Sequence, residues 1–284
     1  MLGSAVDAPR APRRRRVARA GAAAAWAAVL TWALPAPVQA RADLTDITIF
    51  GWSLHDLRFG ARLAPDYMGS NDYRLFPSGS INFARRGTQP GFGAPDDGAS
   101  LGLIGGAQWS AGLTGRLRGP RDNDNDLKGF DKVDWAAEGG VFATYWPRDW
   151  LRVRGELRRG VGGHQSWIAD LGSDLVWREG PLVASLGPRL SWADKDFART
   201  YFSVTPAEAD RSPFGLAPYA PDGPALAAGL TASAEYSLNR HWNLVAAARY
   251  RRALGDIADS PIVADLGSPD QFSASLSVRY ILGR

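Results

Sequence analysis

The 284-residue chain contains no cysteine. This absence excludes a disulfide framework, a cysteine-ligated zinc or iron–sulfur site, and catalysis by a thiolate. Long apolar runs are also absent after residue 40, where nothing approaches the roughly 20 residues that a membrane-spanning helix needs. If the mature chain meets a membrane, it must therefore do so as a closed barrel of strands or as a surface-bound domain.

Excess positive charge is confined to the N-terminal segment. The whole chain carries 33 Lys and Arg against 29 Asp and Glu, a net charge of +4. Residues 1–40 hold six of the arginines and a single acid, Asp7, so the remainder has 27 basic and 28 acidic groups and a net charge of −1. A near-neutral chain without a basic stripe gives no support to nucleic-acid binding, and no nucleic-acid partner is expected.

Residues 1–40 have the three parts of a secretory signal peptide. The arginine cluster Arg13–Arg16 precedes the apolar run Ala20–Leu34, and the segment ends on Val38, Gln39 and Ala40. The apolar run is shorter than a spanning helix requires. We predict cleavage after Ala40, which leaves 41–284 as a single domain.

After residue 40, apolar and polar side chains alternate with a period of two. Alternation over segments of about ten residues is typical of half-buried strands, and of outer-membrane barrel strands in particular. Ten segments follow the pattern: 54–63, 73–83, 107–118, 133–145, 151–158, 166–177, 182–192, 226–238, 242–251 and 271–282.

The connections between these segments alternate in length. Those at 147–149, 178–180 and 239–241 are tight and bordered by Trp or Tyr, which is typical of the periplasmic rim of a barrel. The connections 64–72, 119–132, 194–224 and 254–270 are longer and polar, as extracellular loops are.

The stretch 84–106 is too long for a periplasmic turn. It suggests an additional hairpin whose tip falls in Gly93–Gly98, a run rich in turn-forming residues. The predicted fold class is therefore all-β: a transmembrane antiparallel up-and-down β-barrel of twelve strands, with ten as the alternative.

Charged side chains on the polar face of the segments would line the barrel lumen. Both signs are present, and charges within a low-dielectric wall are tolerable only when paired or hydrated. We expect a salt-bridged, largely plugged interior, with a small solute pore as an alternative. The residues assigned to the lumen are Arg58, Arg62, Arg116, Asp134, Glu138, Arg152, Arg154, Glu156, Arg158, Asp170, Asp174, Arg189, Glu235, Arg249, Arg251 and Arg279.

Three motifs occur in a fixed order along the chain. They are Pro65–Tyr73 before the second strand, Leu186–Asp194 followed by Thr200–Val204, and Leu254–Asp256 followed by Asp259–Val263 before the last strand. Together these motifs resemble the MltA-interacting protein (MipA)/OmpV family of Gram-negative outer membranes, over about 51–280.

The resemblance implies an outer-membrane barrel in contact with outer-membrane lipid. It also implies a non-enzymatic scaffold between a lytic transglycosylase and a peptidoglycan synthase, whereas other members are described as antigens or adhesins. The family supplies no catalytic residues to carry over.

Two patterns bear on enzymatic activity. Gly98–Gly102 matches G-x-S-x-G around Ser100, but the glycine-rich sequence that follows does not favour the helix that a nucleophile elbow requires, so we treat the match as chance. His164 and Ser166 are spaced as in barrel enzymes that deacylate lipid A, which keeps such an enzyme as an alternative. The adjacent Gly160–Gly163 predicts a flexible hairpin tip, and hence a solvated His164.

Two loops carry candidate binding groups. Asp256, Asp259 and Asp265 could offer carboxylate oxygen to Ca²⁺, although scattered loop acids are more often solvated. The loop 194–224 carries five prolines, and its Phe214 and Tyr219 could pack into the barrel mouth or against a partner; it is the best candidate recognition surface. No catalytic, cofactor-binding or metal-binding residue and no cofactor are predicted.

Overall fold

Twelve strands form one antiparallel sheet in the computed structural model, which describes residues 48–49, 52–85 and 91–282. The predicted signal peptide lies outside the described residues. The strands are β1 (Thr48–Ile49), β2 (Trp52–Pro65), β3 (Tyr73–Arg85), β4 (Ala99–Gly105), β5 (Trp109–Arg118), β6 (Ala136–Arg148), β7 (Leu151–Gly162), β8 (Trp167–Glu179), β9 (Leu182–Ala193), β10 (Ala225–Ser237), β11 (Trp242–Leu254) and β12 (Asp270–Ile281).

The sheet has up-and-down topology and curls so that its first long strand meets its last. From β4 to β12 each strand pairs with its neighbour in sequence, and β12 then pairs with β2, which pairs with β3. The two edges of the sheet are thus β3 and β4, which run in the same direction and have no ladder between them in the described part of the chain. This arrangement confirms the predicted fold class.

All ten strands predicted from alternation are present, and β1 and β4 bring the number to twelve. The expected hairpin in 84–106 is wrong, because among the described residues that stretch adds only β4. Gly93–Gly98 is not a hairpin tip. Residues 91–98 instead enter the space enclosed by the sheet, where Asp96 reaches Arg189 of β9 and Thr231 of β10.

Alternation along the strands separates an apolar outer face from a charged inner face. In the β6–β7 ladder, Leu157 lies opposite Val141, and their side chains are 44% and 53% exposed. One residue further along, Arg158 lies opposite Gly140 and is fully buried. A shift of register by one residue would place the arginine against hydrocarbon, so burial fixes the pairing.

Exposed aromatic side chains form a ring at each end of the sheet. Between the rings the outer face carries exposed apolar residues, which include Phe59, Leu113, Leu171, Leu230 and Leu276. An apolar band between two aromatic rings matches a bilayer core between two headgroup layers. The ring beside the short turns consists of Trp109, Tyr145, Trp150, Trp177, Tyr236 and Trp242, and the ring beside the long loops of Tyr73, Trp135, Trp167 and Trp192.

The long loops fold into a compact cap that alternation alone did not predict. Two apolar clusters hold it together, one around Phe197, Tyr201 and Ile257 and one around Leu127 and Ile262. Its helices are α1 (Lys195–Phe202), α2 (Pro206–Arg211), α3 (Asp256–Asp259), α4 (Pro261–Ala264) and the 3₁₀ turn Asn125–Leu127. No helix in the described part of the chain is long and apolar enough to cross a membrane.

The outward orientation of Leu157 leads to a test of the membrane-facing surface. Leu157→Arg would place a charge near the middle of the apolar band, and we expect a loss of about 2–4 kcal/mol in the free energy of unfolding from lipid vesicles. Leu254→Arg, at the loop end of β11, is the matched control and should cost about 0–1 kcal/mol. Equal costs for the two variants in denaturant unfolding would contradict the orientation.

Candidate functional site

The inner face of the sheet is built around a fully buried arginine. Arg158 of β7 donates to Glu138 of β6 (Nε to Oε2, 3.0 Å), to Glu156 on its own strand and to Asp170 of β8. Arg118 of β5 reaches the second oxygen of Glu138 at 2.7 Å. Because a buried charge without partners is strongly destabilising, these carboxylates are what allow Arg158 to be buried.

Residues 91–98 extend this network across the lumen. The Asp97 carboxylate accepts from Arg152 (2.5 Å), and Arg152 also donates to Asp174 (2.9 Å). Asp96 accepts from Arg189 (2.9 Å) and from the Thr231 hydroxyl (3.0 Å). These carboxylates join β7, β8, β9 and β10 through a segment that belongs to no strand, so residues 91–98 act as an internal plug.

A second cluster of charges lies nearer the short-turn end of the sheet. Arg279 of β12 donates to Asp56 of β2 (2.9 Å) and to Glu235 of β10 (2.9 Å). Asn82 of β3 donates to the other oxygen of Asp56 (2.8 Å). The cluster ties together the strands on the side of the sheet opposite the Arg158 network.

The sequence-based assignment of the lumen is largely confirmed, with one error and four omissions. The assignment of Asp134 to the lumen is wrong, because Asp134 is exposed and precedes β6, which begins at Ala136. Asp56 and Arg118 were missed, although each lies two residues from an assigned arginine on the same face of its strand. Asp96 and Asp97 lie outside the strands, so alternation gave no signal for them.

His164 is buried beneath the cap, so its predicted solvation is wrong. It is 3% exposed, and its ring packs edge-on against Phe197 (5.2 Å between centroids) and near Tyr201. Glycine is needed before His164 because it leaves space for the packed imidazole, and not because the chain must be flexible there. A Cβ on Gly160 would lie 2.1 Å from the His164 Cε1 atom, so only glycine leaves room for the imidazole.

The arrangement of His164 and Ser166 differs from that of a nucleophile and its base. His164 Nε2 lies 3.3 Å from a Glu138 oxygen, and Nδ1 accepts the backbone N–H of Ser166 at 3.3 Å. Both ring nitrogens are therefore occupied. The Ser166 hydroxyl is buried and has no hydrogen-bond partner among the described residues, and Ser166 itself has no exposed surface.

Two further sequence candidates, Ser100 and Asp256, have structural partners. Ser100 lies on β4, where its hydroxyl donates to the Gly98 carbonyl (2.8 Å) and accepts from Arg154 (2.6 Å). It is not at a strand-to-helix turn. Asp256 accepts the backbone N–H groups of Asp222 (2.9 Å) and Gly223 (2.6 Å) and so holds two loops together. Within the described ranges no group of three or more His, Asp or Glu is placed to bind a metal ion.

The loop 194–224 supplies much of the cap. Asp194 caps α1 by accepting the Phe197 N–H (3.0 Å), and it also accepts the Trp167 N–H (2.7 Å) at the start of β8. Tyr219 packs on the second apolar cluster and donates to the Asp256 carbonyl (2.8 Å), whereas Phe214 remains 37% exposed. Of the two aromatics singled out in the sequence, one therefore packs inside the cap and one stays on its surface.

Glu208 links α2 to the connection between β5 and β6. It forms a capping box with Thr205 and accepts the Asp131 N–H at 3.0 Å. Burial acts to raise the pKa of Glu208, but hydrogen bonds from the Asp131 and Thr205 amides outweigh burial and hold that pKa below its ordinary value. The ionised carboxylate thus stabilises the folded cap.

A curled antiparallel sheet with an apolar outer band, two aromatic rings and a paired, charged interior defines an outer-membrane β-barrel protein. The family model described as "MltA-interacting protein MipA" matches residues 57–282. The chain belongs to this family, as its motifs had suggested. The short turns accordingly lie on the periplasmic side, and the cap lies on the extracellular side.

The chain is also similar to a curated protein and to solved structures. The chain is 30% identical over 165 residues to the Escherichia coli (strain K12) protein named "Putative outer membrane protein YiaT", a match over 57% of this chain and 64% of that relative. Among solved structures, the outer membrane channel DcaP of Acinetobacter baumannii is 8% identical to this chain, with a TM-score of 0.37. The match covers 82% of this chain and 98% of the DcaP chain. The outer membrane protein OprD of Pseudomonas aeruginosa is 13% identical, with a TM-score of 0.35. This match covers 82% of this chain and 65% of the OprD chain.

The lowered pKa of Glu208 predicts that the cap weakens in acid. A group whose pKa is lower in the folded state contributes stability above its unfolded pKa of about 4.3, and this contribution is lost as the pH falls through the folded value. Hydrogen exchange of the α2 amides should therefore show protection that declines below about pH 4. Glu208→Gln should lower protection at neutral pH and remove this acid dependence.

The matched control for Glu208→Gln is Glu179→Gln, which changes an exposed residue at the opposite end of the barrel. It should leave the exchange profile of α2 as in the wild type. If Glu208→Gln keeps the full acid-dependent loss of protection, another group controls the cap.

Proposed function

We propose that the protein is a non-enzymatic outer-membrane scaffold that holds cell-wall enzymes at the periplasmic face. The observation that carries this proposal is membership of a family described by its interaction with another protein, MltA. By that resemblance, the partners would be a lytic transglycosylase and a peptidoglycan synthase. Such enzymes act on peptidoglycan, so their docking surface would be the short-turn end.

The interior supports a structural role over transport. Residues 91–98 and the ion pairs of Arg152 and Arg189 cross the lumen between two cavities. One, of about 1200 Å³, is lined by Asp56 and Trp146, and the other, of about 720 Å³, lies towards the cap. A barrel filled in this way leaves its two ends as the surfaces that meet other molecules, and it favours a scaffold over the alternative of a solute pore.

The geometry of His164 and Ser166 likewise favours a scaffold over a lipid-modifying enzyme. A serine nucleophile needs a base within hydrogen-bond reach of its hydroxyl, and the substrate needs access to both residues. Here the imidazole Nδ1 accepts the Ser166 backbone N–H, and both residues are buried.

The short-turn end offers three exposed arginines for docking: Arg148, Arg178 and Arg240. Arg178 is held in place by a hydrogen bond to the Asp149 carbonyl (2.7 Å) and by stacking on Trp146 (5.4 Å to the ring centroid). A guanidinium group held in this way suits an acidic surface patch on a partner.

Affinity capture with the immobilised mature protein tests the proposal. From detergent extracts of Gram-negative envelopes, the wild type should retain a transglycosylase or a peptidoglycan synthase, each identified by mass spectrometry. The triple variant Arg148→Gln/Arg178→Gln/Arg240→Gln should retain less of it, because each substitution removes a charged contact at the periplasmic rim.

The matched control changes three exposed cap residues: Lys195→Gln/Arg199→Gln/Arg211→Gln. It should capture partners as the wild type does. Failure of the wild type to retain either class of enzyme would contradict the scaffold. Loss of capture only in the cap variant would place docking on the extracellular side instead.

A further inference from the structure

The cavity beneath the cap is rich in arginine. We call it the arginine chamber and define it by the six arginines that line its volume of about 720 Å³: Arg62, Arg74, Arg118, Arg121, Arg249 and Arg251. Within the described ranges, three acidic residues share the lining, namely Asp66, Asp122 and Asp124. The lining of the chamber therefore carries an excess of positive charge.

Three of the six guanidinium groups are already used within the chain. Arg118 pairs with Glu138 at 2.7 Å, and Arg74 pairs with Asp66 at 2.7 Å. Arg121 donates to the backbone carbonyls of Tyr201 (2.8 Å) and Asp131 (3.1 Å). These three groups shape the wall of the chamber.

The other three guanidinium groups lack a close carboxylate among the described residues. Arg251 has a buried Nε without a hydrogen-bond partner and reaches only the Met68 sulfur, at 4.0 Å. Arg249 has the same unpartnered Nε and lies 4.0 Å from Asp96, whose oxygens are already bonded to Arg189. The Arg62 guanidinium lies 5.8 Å from the centroid of the Phe76 ring, and it forms no ion pair with another described residue.

The unpartnered, buried Nε groups of Arg249 and Arg251 are a cost to stability that a bound anion would offset, and the more exposed Arg62 would add a third charge. Arg62 lies on β2, and Arg249 and Arg251 lie on β11, so the strands fix their positions. Arginine presents its N–H groups in a planar fork that fits the oxygens of phosphate or carboxylate, and several such forks around one cavity favour a multiply charged group.

The lining also shows how an anion could reach the chamber. Leu75 of β3 and Leu117 of β5, which face outward and are 70% and 75% exposed, contribute to the same cavity. β4 pairs with β5 only as far as Gly115, so the cavity reaches the outer surface between β3 and the last residues of β5. This opening lies in the half of the wall that faces the extracellular leaflet.

We propose that the arginine chamber is a binding site for a phosphate-bearing anion, held by Arg62, Arg249 and Arg251. The anion is either a phosphorylated lipid headgroup that enters between β3 and β5 or a free phosphorylated solute. The two sources share the same chemistry of recognition and differ in the route of entry.

Calorimetric titration of the folded protein with inorganic pyrophosphate in neutral detergent micelles tests the site. The wild type should bind, and the affinity should fall as salt is added. The double variant Arg62→Gln/Arg251→Gln should bind about a hundredfold more weakly, since each charged hydrogen bond contributes about tenfold or more in affinity. Neither guanidinium has a carboxylate partner among the described residues, so this variant is expected to fold as the wild type does.

The control is the double variant Arg199→Gln/Arg252→Gln, which removes two exposed charges outside the chamber and should bind as the wild type does. Folding of the chamber variant, Arg62→Gln/Arg251→Gln, is checked by whether its migration on a gel changes on boiling. If it does not fold, the single variant Arg62→Gln, at an exposed position, replaces it. The expected loss of affinity is then about tenfold.

Phosphatidic acid in lipid nanodiscs distinguishes the two sources. If this lipid is retained in native mass spectra and blocks pyrophosphate, the ligand is a headgroup. If pyrophosphate binds equally in nanodiscs with and without phosphatidic acid, the ligand is a solute. Either result supports the chamber. Binding of neither probe by the wild type, or binding that the chamber variant leaves unchanged, would overturn the proposal.

Discussion

Charge neutralisation within a wall that faces hydrocarbon is the constraint on which the rest of this structure depends. Alternation places arginines on the inner face of β5, β7 and β9, and each needs a carboxylate within reach. Glu138, Glu156, Asp170 and Asp174 come from the strands themselves. Asp96 and Asp97 come from residues 91–98, which explains why a segment outside the strands lies inside the barrel.

The same constraint makes the two ends of the lumen different. Towards the periplasm, Arg279, Asp56 and Glu235 form a closed set of ion pairs. Beneath the cap, Arg62, Arg249 and Arg251 have no such set among the described residues, apart from the 4.0 Å approach of Arg249 to Asp96, and the folded loops lie over the cavity that they line. A bound phosphate-bearing anion would supply the negative charge that balances these three arginines.

The alternation of side chains along a strand predicts structure well when a single environment, here the bilayer, selects the residue at every second position. The bilayer requires an apolar residue at every second position, so ten strands and most lumenal charges follow from the sequence, and Arg158 and Glu138 were assigned correctly. Residues 91–98 have no period, because their position is set by contacts with residues far away in the sequence, such as the ion pair with Arg189 and the hydrogen bond from Thr231. Their turn-forming composition suggested a hairpin tip instead.

The cap contains one feature that the local sequence specifies and one that depends on residues distant in the sequence. Thr205-Pro206-Ala207-Glu208 is a capping box that local sequence specifies, and it could have been recognised as the start of a helix. The burial of His164 could not have been predicted from the local sequence. It depends on the space above Gly160 and on Phe197 and Tyr201, which come from a distant loop. Glycine before a histidine gives the same local pattern whether the tip is mobile or packed.

The position of residues 91–98 across the lumen is tested most directly by cross-linking, which the absence of native cysteine makes simple. The Asp96 carboxylate and the Thr231 hydroxyl lie 3.0 Å apart in the folded protein. An Asp96→Cys/Thr231→Cys variant should therefore form an internal disulfide on mild oxidation of intact outer membranes. If that variant stays reduced while Asp96→Cys alone reacts with a membrane-impermeant thiol reagent from outside the cell, residues 91–98 do not fill the barrel.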